Sequence, residues 1–184
     1  MGFGPTGEEL VDDAWKLHGA MRMHSIGTKP GCSIDPKSDF GYIEIEQYSE
    51  IDALGIDRIF LFKIRQKDLK RIVRGLPNDT VHWEMIPIQV KQTNSLKEGE
   101  VVGVVLPLPD PLPDRLAAKL TDKMREIIGE HIGKHPAVQQ ILFVSHILKE
   151  GTKEHRLVLE GIWRETKKII NIRYGERLLG RHIV

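Results

Sequence analysis

Leu10, Ala14, Leu17 and Met21 recur every three or four positions with mostly polar residues between them, so the chain opens with an amphipathic helix over about 6–23. Thr6 and Glu9 stand three apart at its start, the S/T-x-x-E spacing in which a hydroxyl and a carboxylate each satisfy a main-chain N–H of the first turn. Over 27–39 the chain instead crowds Gly, Pro, Ser and Asp together, which predicts a connecting loop. The period then drops to two. Tyr42, Ile43, Glu44, Ile45 and Glu46 alternate, placing the isoleucines on one face of a half-buried strand. In Asp57-Arg58-Ile59-Phe60-Leu61-Phe62 the apolar residues fall on both faces, as in a central strand covered above and below.

Leu69, Ile72 and Val73 fit a short basic helix over 63–75, ended by Gly75-Leu76-Pro77-Asn78-Asp79. A third strand is expected over 83–93 and an outer strand over 101–108. Asp110-Pro111 signals a helix start, and Leu116, Leu120, Met124, Ile127 and Ile128 continue an apolar stripe to about Gly133. The run 138–144 suits a buried strand, and 152–172 reads as helical. The predicted class is α/β: a core over 1–150 in the order helix, three strands, helix, strand, with a C-terminal helical extension over 151–184 packed on it.

A chain of 184 residues with 40% hydrophobic and 29% charged positions can bury one core. Its 27 Lys and Arg nearly cancel 26 Asp and Glu, so attraction to a polyanion has to come from local clusters. No apolar run approaches the roughly 20 residues that cross a bilayer, and Met1-Gly2-Phe3-Gly4-Pro5 lacks a basic stretch followed by an apolar one, so no membrane partner and a cytoplasmic location are expected. Cys32 is the only cysteine, which excludes an intrachain disulfide and a multi-cysteine zinc cluster. His131 and His135 lie four apart on the expected helix without an HExxH pattern, and are read as solvated. Any metal is therefore expected on oxygen ligands.

In Ile86-Pro87-Ile88-Gln89-Val90-Lys91 the two-residue period puts Gln89 and Lys91 on one face of a strand. A lysine in an apolar strand reaches solvent, pairs with a carboxylate or borders a cavity, and Asp57 on the neighbouring strand is the natural partner. Together with Asp52-Ala53-Leu54-Gly55-Ile56-Asp57-Arg58, this segment resembles the D…(E/Q)xK signature of the PD-(D/E)XK nuclease superfamily, with Ile56 in place of the proline and Gln89 in place of the acid. The resemblance extends over about 6–146 and implies a restriction-endonuclease-like α-β-β-β-α-β core around a mixed sheet. It further implies that Asp57 and Gln89 hold a divalent cation, Mg²⁺ or Mn²⁺, and that Lys91 activates or orients water.

A hard cation accepts an oxygen-only set of this kind: the Asp57 carboxylate, the Gln89 amide oxygen and the Val90 carbonyl, completed by water and a substrate phosphate. Asp52, five residues before Asp57 across Gly55, is a secondary ligand candidate. Glu8 is a further one on the first helix, whereas Glu9 is accounted for by the capping box. Arg58, Lys63, Arg65, Lys67, Lys70, Arg71 and Arg74 are opposed only by Asp68 over 58–74 and form a candidate phosphate-binding surface, with a solvated helix face as the rival reading. Arg164, Lys167, Lys168 and Arg173 form a second basic group, read either as a nucleic-acid clamp or, with Ile162, Ile169 and Ile170 beside them, as a helix packed on the core or in a homodimer contact; Trp83 is read as core, with base stacking as the rival. The expected activity is metal-dependent hydrolysis of nucleic acid, with DNA preferred through the resemblance alone. The alternative is a noncatalytic nucleic-acid-binding or assembly module that keeps the nuclease fold, motivated by the neutral Gln89.

Overall fold

The Thr6 N–H donates to Glu9 Oε2 at 2.7 Å and the Glu9 N–H donates to Thr6 Oγ1 at 3.2 Å, so the expected capping box opens helix α1 (Gly7–Leu17). The helix is shorter than its apolar spacing predicts. Gly19 adopts φ 82°, a left-handed conformation that glycine takes without a Cβ clash, and the chain leaves the helix there. Met21–Met23 then forms strand β1, so Met21 belongs to the sheet and not to the helix stripe. A computed structural model describes residues 4–23, 39–49, 51–64, 82–107, 131–132 and 138–178. Of the loop expected over 27–39, residues 27–38 lie outside them, as do 65–75 of the basic helix expected over 63–75 and 110–130 of the long helix expected to about 133; Lys63 and Ile64 are in a strand and not in the expected helix.

The strands continue with β2 (Phe40–Glu44), β3 (Arg58–Ile64), β4 (His82–Thr93), β5 (Val101–Pro107), β6 (His131–Ile132) and β7 (Val138–Ser145), and the chain closes with helix α2 (Lys153–Leu178). Among the described residues they form one mixed sheet in the order β1-β2-β3-β4-β7-β5, with β6 beside the start of β4. β2, β3 and β4 make an antiparallel meander, β4 and β7 run parallel, and β5 returns antiparallel at the edge. His131 is in a strand and not on the expected helix. Pairing with His82 gives its main chain a ladder partner that local periodicity does not reveal. His135 lies outside the described residues.

β4 is long enough to have two different neighbours. It pairs with β3 from His82 to Ile88 and with β7 from Ile88 to Thr93, so its second half runs on past the start of β3. One face of the sheet is covered by α1 and α2, whose Leu10, Val11, Trp15, Val158, Ile162 and Ile170 form one cluster with Tyr42, Phe60, Ile86, Ile88 and Leu142. Trp15 lies 4.9 Å from Phe60 and 5.5 Å from Tyr42 between ring centroids, and its Nε1–H donates to Thr166 Oγ1 on α2 at 3.0 Å. That bond lets an amphipathic aromatic be wholly buried.

Ile43, Ile59, Leu61 and Trp83, which alternate with that set, are buried too. β2 is thus covered on both faces and is not the half-buried strand its alternation predicts, because it is an interior strand under Trp15. β3 is covered on both faces as expected. α2 packs on the core through the isoleucines read from the sequence. Among the described residues no helix is long and apolar enough to cross a membrane.

Candidate functional site

The second half of β4 creates a problem that Asp57 solves. β3 begins opposite Ile88, so the Val90 N–H faces an edge that β3 does not reach, and a half-buried main-chain donor needs a partner. The Asp57 carboxylate supplies it: Val90 N–H donates to Oδ2 at 2.6 Å. The Asp57 main chain is fixed as well, its N–H donating to the Ile88 carbonyl at 2.9 Å and its carbonyl accepting from Ile45 N–H at 3.1 Å. A strand residue turns its N–H and C=O to the same edge, so the Val90 carbonyl also faces the side of the strand that Asp57 occupies. Among the described residues no hydrogen bond reaches Asp57 Oδ1.

This carboxylate looks into an open cavity of about 380 Å³ lined by Thr6, Glu8, Glu9, Ile45, Gln47, Asp52, Asp57 and Arg58. α1 delivers Glu8. Its N-terminal end lies against β4, where Gln92 Nε2–H donates to the Pro5 carbonyl at 3.2 Å, and the capping box uses Glu9 while leaving Glu8 beside the cavity. Asp52 is carried by a short 3-10 turn (Asp52–Leu54) between β2 and β3, and part of its carboxylate is committed locally, Oδ2 accepting from Tyr48 N–H at 2.8 Å. The structure therefore groups Asp57 with the secondary candidates Asp52 and Glu8.

Gln89 and Lys91 are placed differently. Ile86, Ile88, Val90 and Gln92 meet the helices, so Gln89 and Lys91 occupy the opposite face of β4, sharing it as their spacing predicts. Gln89 is half-buried against the turn that carries Asp52: a Cβ on Gly55 would come within 2.6 Å of its Nε2. Lys91 is exposed, and neither residue lines the cavity. Gly55 is thus constrained twice, by that contact and by φ 76°. Gly55→Ala is expected to cost about 1–2 kcal/mol for the left-handed backbone and to push Gln89 aside. Unchanged denaturant midpoints would contradict this.

The two described members of the basic cluster are engaged inside the protein. Arg58 lays its guanidinium on Asp12 of α1, Nε to Oδ1 at 2.8 Å and Nη2 to Oδ2 at 3.1 Å, and donates from Nη1 to the Asp57 carbonyl at 2.9 Å. Lys63 Nζ sits 5.0 Å from the centre of the Trp83 ring, which is core and not a surface stacking platform. Arg65, Lys67, Lys70, Arg71 and Arg74 lie outside the described residues. On α2, Arg164 and Lys168 pair with Glu165 at 3.4 and 2.8 Å.

Burial lifts the Asp57 carboxyl above its ordinary 3.8; the Val90 N–H opposes the shift, the charge of Glu8 adds to it, Arg58 opposes it and Asp52 adds to it. The folded protein therefore holds the Asp57 proton more tightly than the unfolded chain does. Its ionisation works against folding: the stability associated with the protonated form is lost as pH rises from about 3.8 through the raised value. In Asp57→Asn this contribution is absent. The stability of the variant relative to wild type is expected to be most favourable at neutral pH and to shrink on acidification toward 3.8. A difference that stays constant across that window in denaturant titrations would refute the assignment.

Neighbouring carboxylates in a part-buried cleft are what a cation relieves, and the hard oxygens that line it are those of Asp57, Glu8 and Asp52, with the Val90 carbonyl on the adjoining strand edge. Among the described residues no group of three or more His, Cys, Asp or Glu is placed to hold a metal ion together. The set fits the sparser arrangement that suits Mg²⁺, one or two carboxylates with water and phosphate in the remaining positions. The D…QxK spacing found Asp57, whereas only a weak signal, an acid on the first helix left over from the capping box, pointed to Glu8. Nothing local pointed to Asp12. No family model, curated protein or solved structure matches the chain.

Proposed function

We propose that this chain is a metal-dependent nuclease of restriction-endonuclease-like, PD-(D/E)XK type, hydrolysing phosphodiester bonds in nucleic acid, with DNA the first substrate to test. The observation that carries the reading is the Asp57 carboxylate, anchored on the Val90 peptide and facing an open cleft with Glu8 and Asp52. Supporting it, the β2-β3-β4 meander follows α1 and β7 lies parallel to β4 in a mixed sheet, with β1 as an addition before the meander and the second core helix that the resemblance implies outside the described residues.

In this reading Asp57 Oδ1, Glu8 and the Val90 carbonyl would hold Mg²⁺ or Mn²⁺, whereas Gln89, packed on the Gly55 turn outside the cavity, is left as a support of that turn. When bound, the cation supplies a water acidified toward hydroxide and neutralises charge on the phosphate. Asp57 is oriented for this by four hydrogen bonds, one to its carboxylate and three to its main chain, so little reorganisation is left for the moment of reaction. Glu8, on a separate element, sets the second wall of the cleft. Lys91, exposed and outside the cavity, keeps its role toward the phosphate only from the sequence resemblance, and Lys91→Ala tests it.

The placement of Lys91 outside the cavity favours one rival, a noncatalytic nucleic-acid-binding module that keeps this fold. Plasmid, single-stranded DNA and RNA incubated with Mg²⁺, Mn²⁺ or EDTA separate the two. The nuclease reading expects cleavage with the metals, none with EDTA, and loss in both Asp57→Ala and Lys91→Ala. Cleavage that persists in both folded variants refutes the site. Binding without cleavage by wild type supports the rival, and cleavage of RNA alone corrects the substrate.

A further inference from the structure

From the fork that joins Asp12 on α1 to the first residue of β3, we infer that Arg58 is a positioning residue that registers the Glu8 carboxylate against the Asp57 carboxylate, rather than a contact to nucleic acid. The inference rests on the nuclease reading of the same cleft. Arg58 spends its guanidinium on two partners at once: both oxygens of Asp12, and the carbonyl of Asp57. Arg58 lines the cavity, but with its side chain 12% exposed and that of Asp12 9% exposed, most of the guanidinium is turned to its protein partners.

What it does hold is the relation between two elements. Glu8 and Asp12 stand four apart on α1, so they lie on one face of the helix with Cβ atoms about 6 Å apart. Fixing Asp12 on Arg58 fixes where Glu8 projects, and the bond from Nη1 to the Asp57 carbonyl ties that same guanidinium to the opposite carboxylate's own residue. Pro5 with Gln92 at one end and Trp15 with Thr166 at the other hold α1 to the sheet and to α2. Neither of those contacts reaches Asp57. The fork alone, among the described residues, hydrogen-bonds α1 to the Asp57–Arg58 segment.

Lysine in place of arginine keeps the positive charge beside Asp57 and loses the planar fork, so Arg58→Lys separates geometry from charge. Outer-shell partners that orient a metal ligand change affinity by about 10- to 100-fold. Mn²⁺ titrations followed by electron paramagnetic resonance, run on the full chain at a temperature where circular dichroism shows every variant folded, are expected to show weaker binding by that factor in Arg58→Lys and in Asp12→Asn. Asp12→Glu, which retains a carboxylate for the fork, is expected to lose less. The metal concentration needed for half-maximal cleavage should rise in step. Folded Arg58→Lys with wild-type Mn²⁺ affinity and metal requirement overturns the positioning role while leaving the nuclease reading intact. Wild-type protein that binds no Mn²⁺ and cuts nothing overturns both.

Discussion

Asp57→Asn is expected to abolish metal-dependent cleavage while leaving the fold at least as stable as wild type at neutral pH. The loss of activity is large because a charged ligand that localises a cation at a developing phosphorane is worth several kcal/mol, about a thousandfold or more in rate. The stability follows from a different property of the same group. Asparagine keeps an oxygen to accept the Val90 N–H at the open edge of β4, and it removes a carboxylate that burial, Glu8 and Asp52 all disfavour. Function and folding thus pull in opposite directions at this residue, as expected where a site is held in a destabilised state for its chemistry. Cleavage rates and denaturant midpoints on one preparation check both halves. A variant that is both inactive and markedly unstable would show Asp57 to be chiefly a structural cap.

Asp12→Ala is expected to be the most destabilising change near the site, at about 3–5 kcal/mol, because it leaves the Arg58 guanidinium buried without its bidentate partner. That is a large share of the 5–15 kcal/mol by which domains are usually stable. The pair itself is costly. Burial lifts the Asp12 carboxyl above its ordinary 3.8 despite the hydrogen bond and charge of Arg58, whereas for Arg58 burial is outweighed and Asp12 holds it more firmly charged. The two directions describe one bridge whose attraction only partly repays desolvation, felt on the carboxylate side. Replacing both partners with apolar residues, as in Asp12→Leu with Arg58→Met, should therefore recover most of the lost stability. It should not recover tight Mn²⁺ binding, because no guanidinium then joins α1 to the Asp57 carbonyl. Denaturant midpoints at unchanged slope measure the first, and a double variant as unstable as Asp12→Ala would contradict it.

The elements legible in the sequence are those whose cause is local. Thr6 and Glu9 announce their own capping box, β3 declares its double burial in Phe60 to Phe62, and the two-residue period of β4 assigns Gln89 and Lys91 to a common face. The misread elements have distant causes. Met21 fits the helix stripe until Gly19 turns the chain and β2 offers a parallel partner; Glu46 continues an alternation that ends at Glu44 in the sheet; His131 fits a helix until it meets β4. The site divides in the same way. Asp57 is visible because its motif is short, but Arg58 reads as one cation among seven because Asp12 lies 46 residues away. The face shared by Gln89 and Lys91 is legible, yet which face of β4 the cavity opens from depends on where β3 begins and where α1 lands.

The central claim is that Asp57 Oδ1 and the Val90 carbonyl address one cation. Crystals grown with Mn²⁺ and measured at an anomalous wavelength test it most directly. A peak is expected at coordination distance, about 2.0–2.2 Å, from Asp57 Oδ1, with Glu8 or a water bound to Glu8 on its far side. No peak beside Asp57 at millimolar Mn²⁺, or full occupancy only at some other place on the chain, contradicts it.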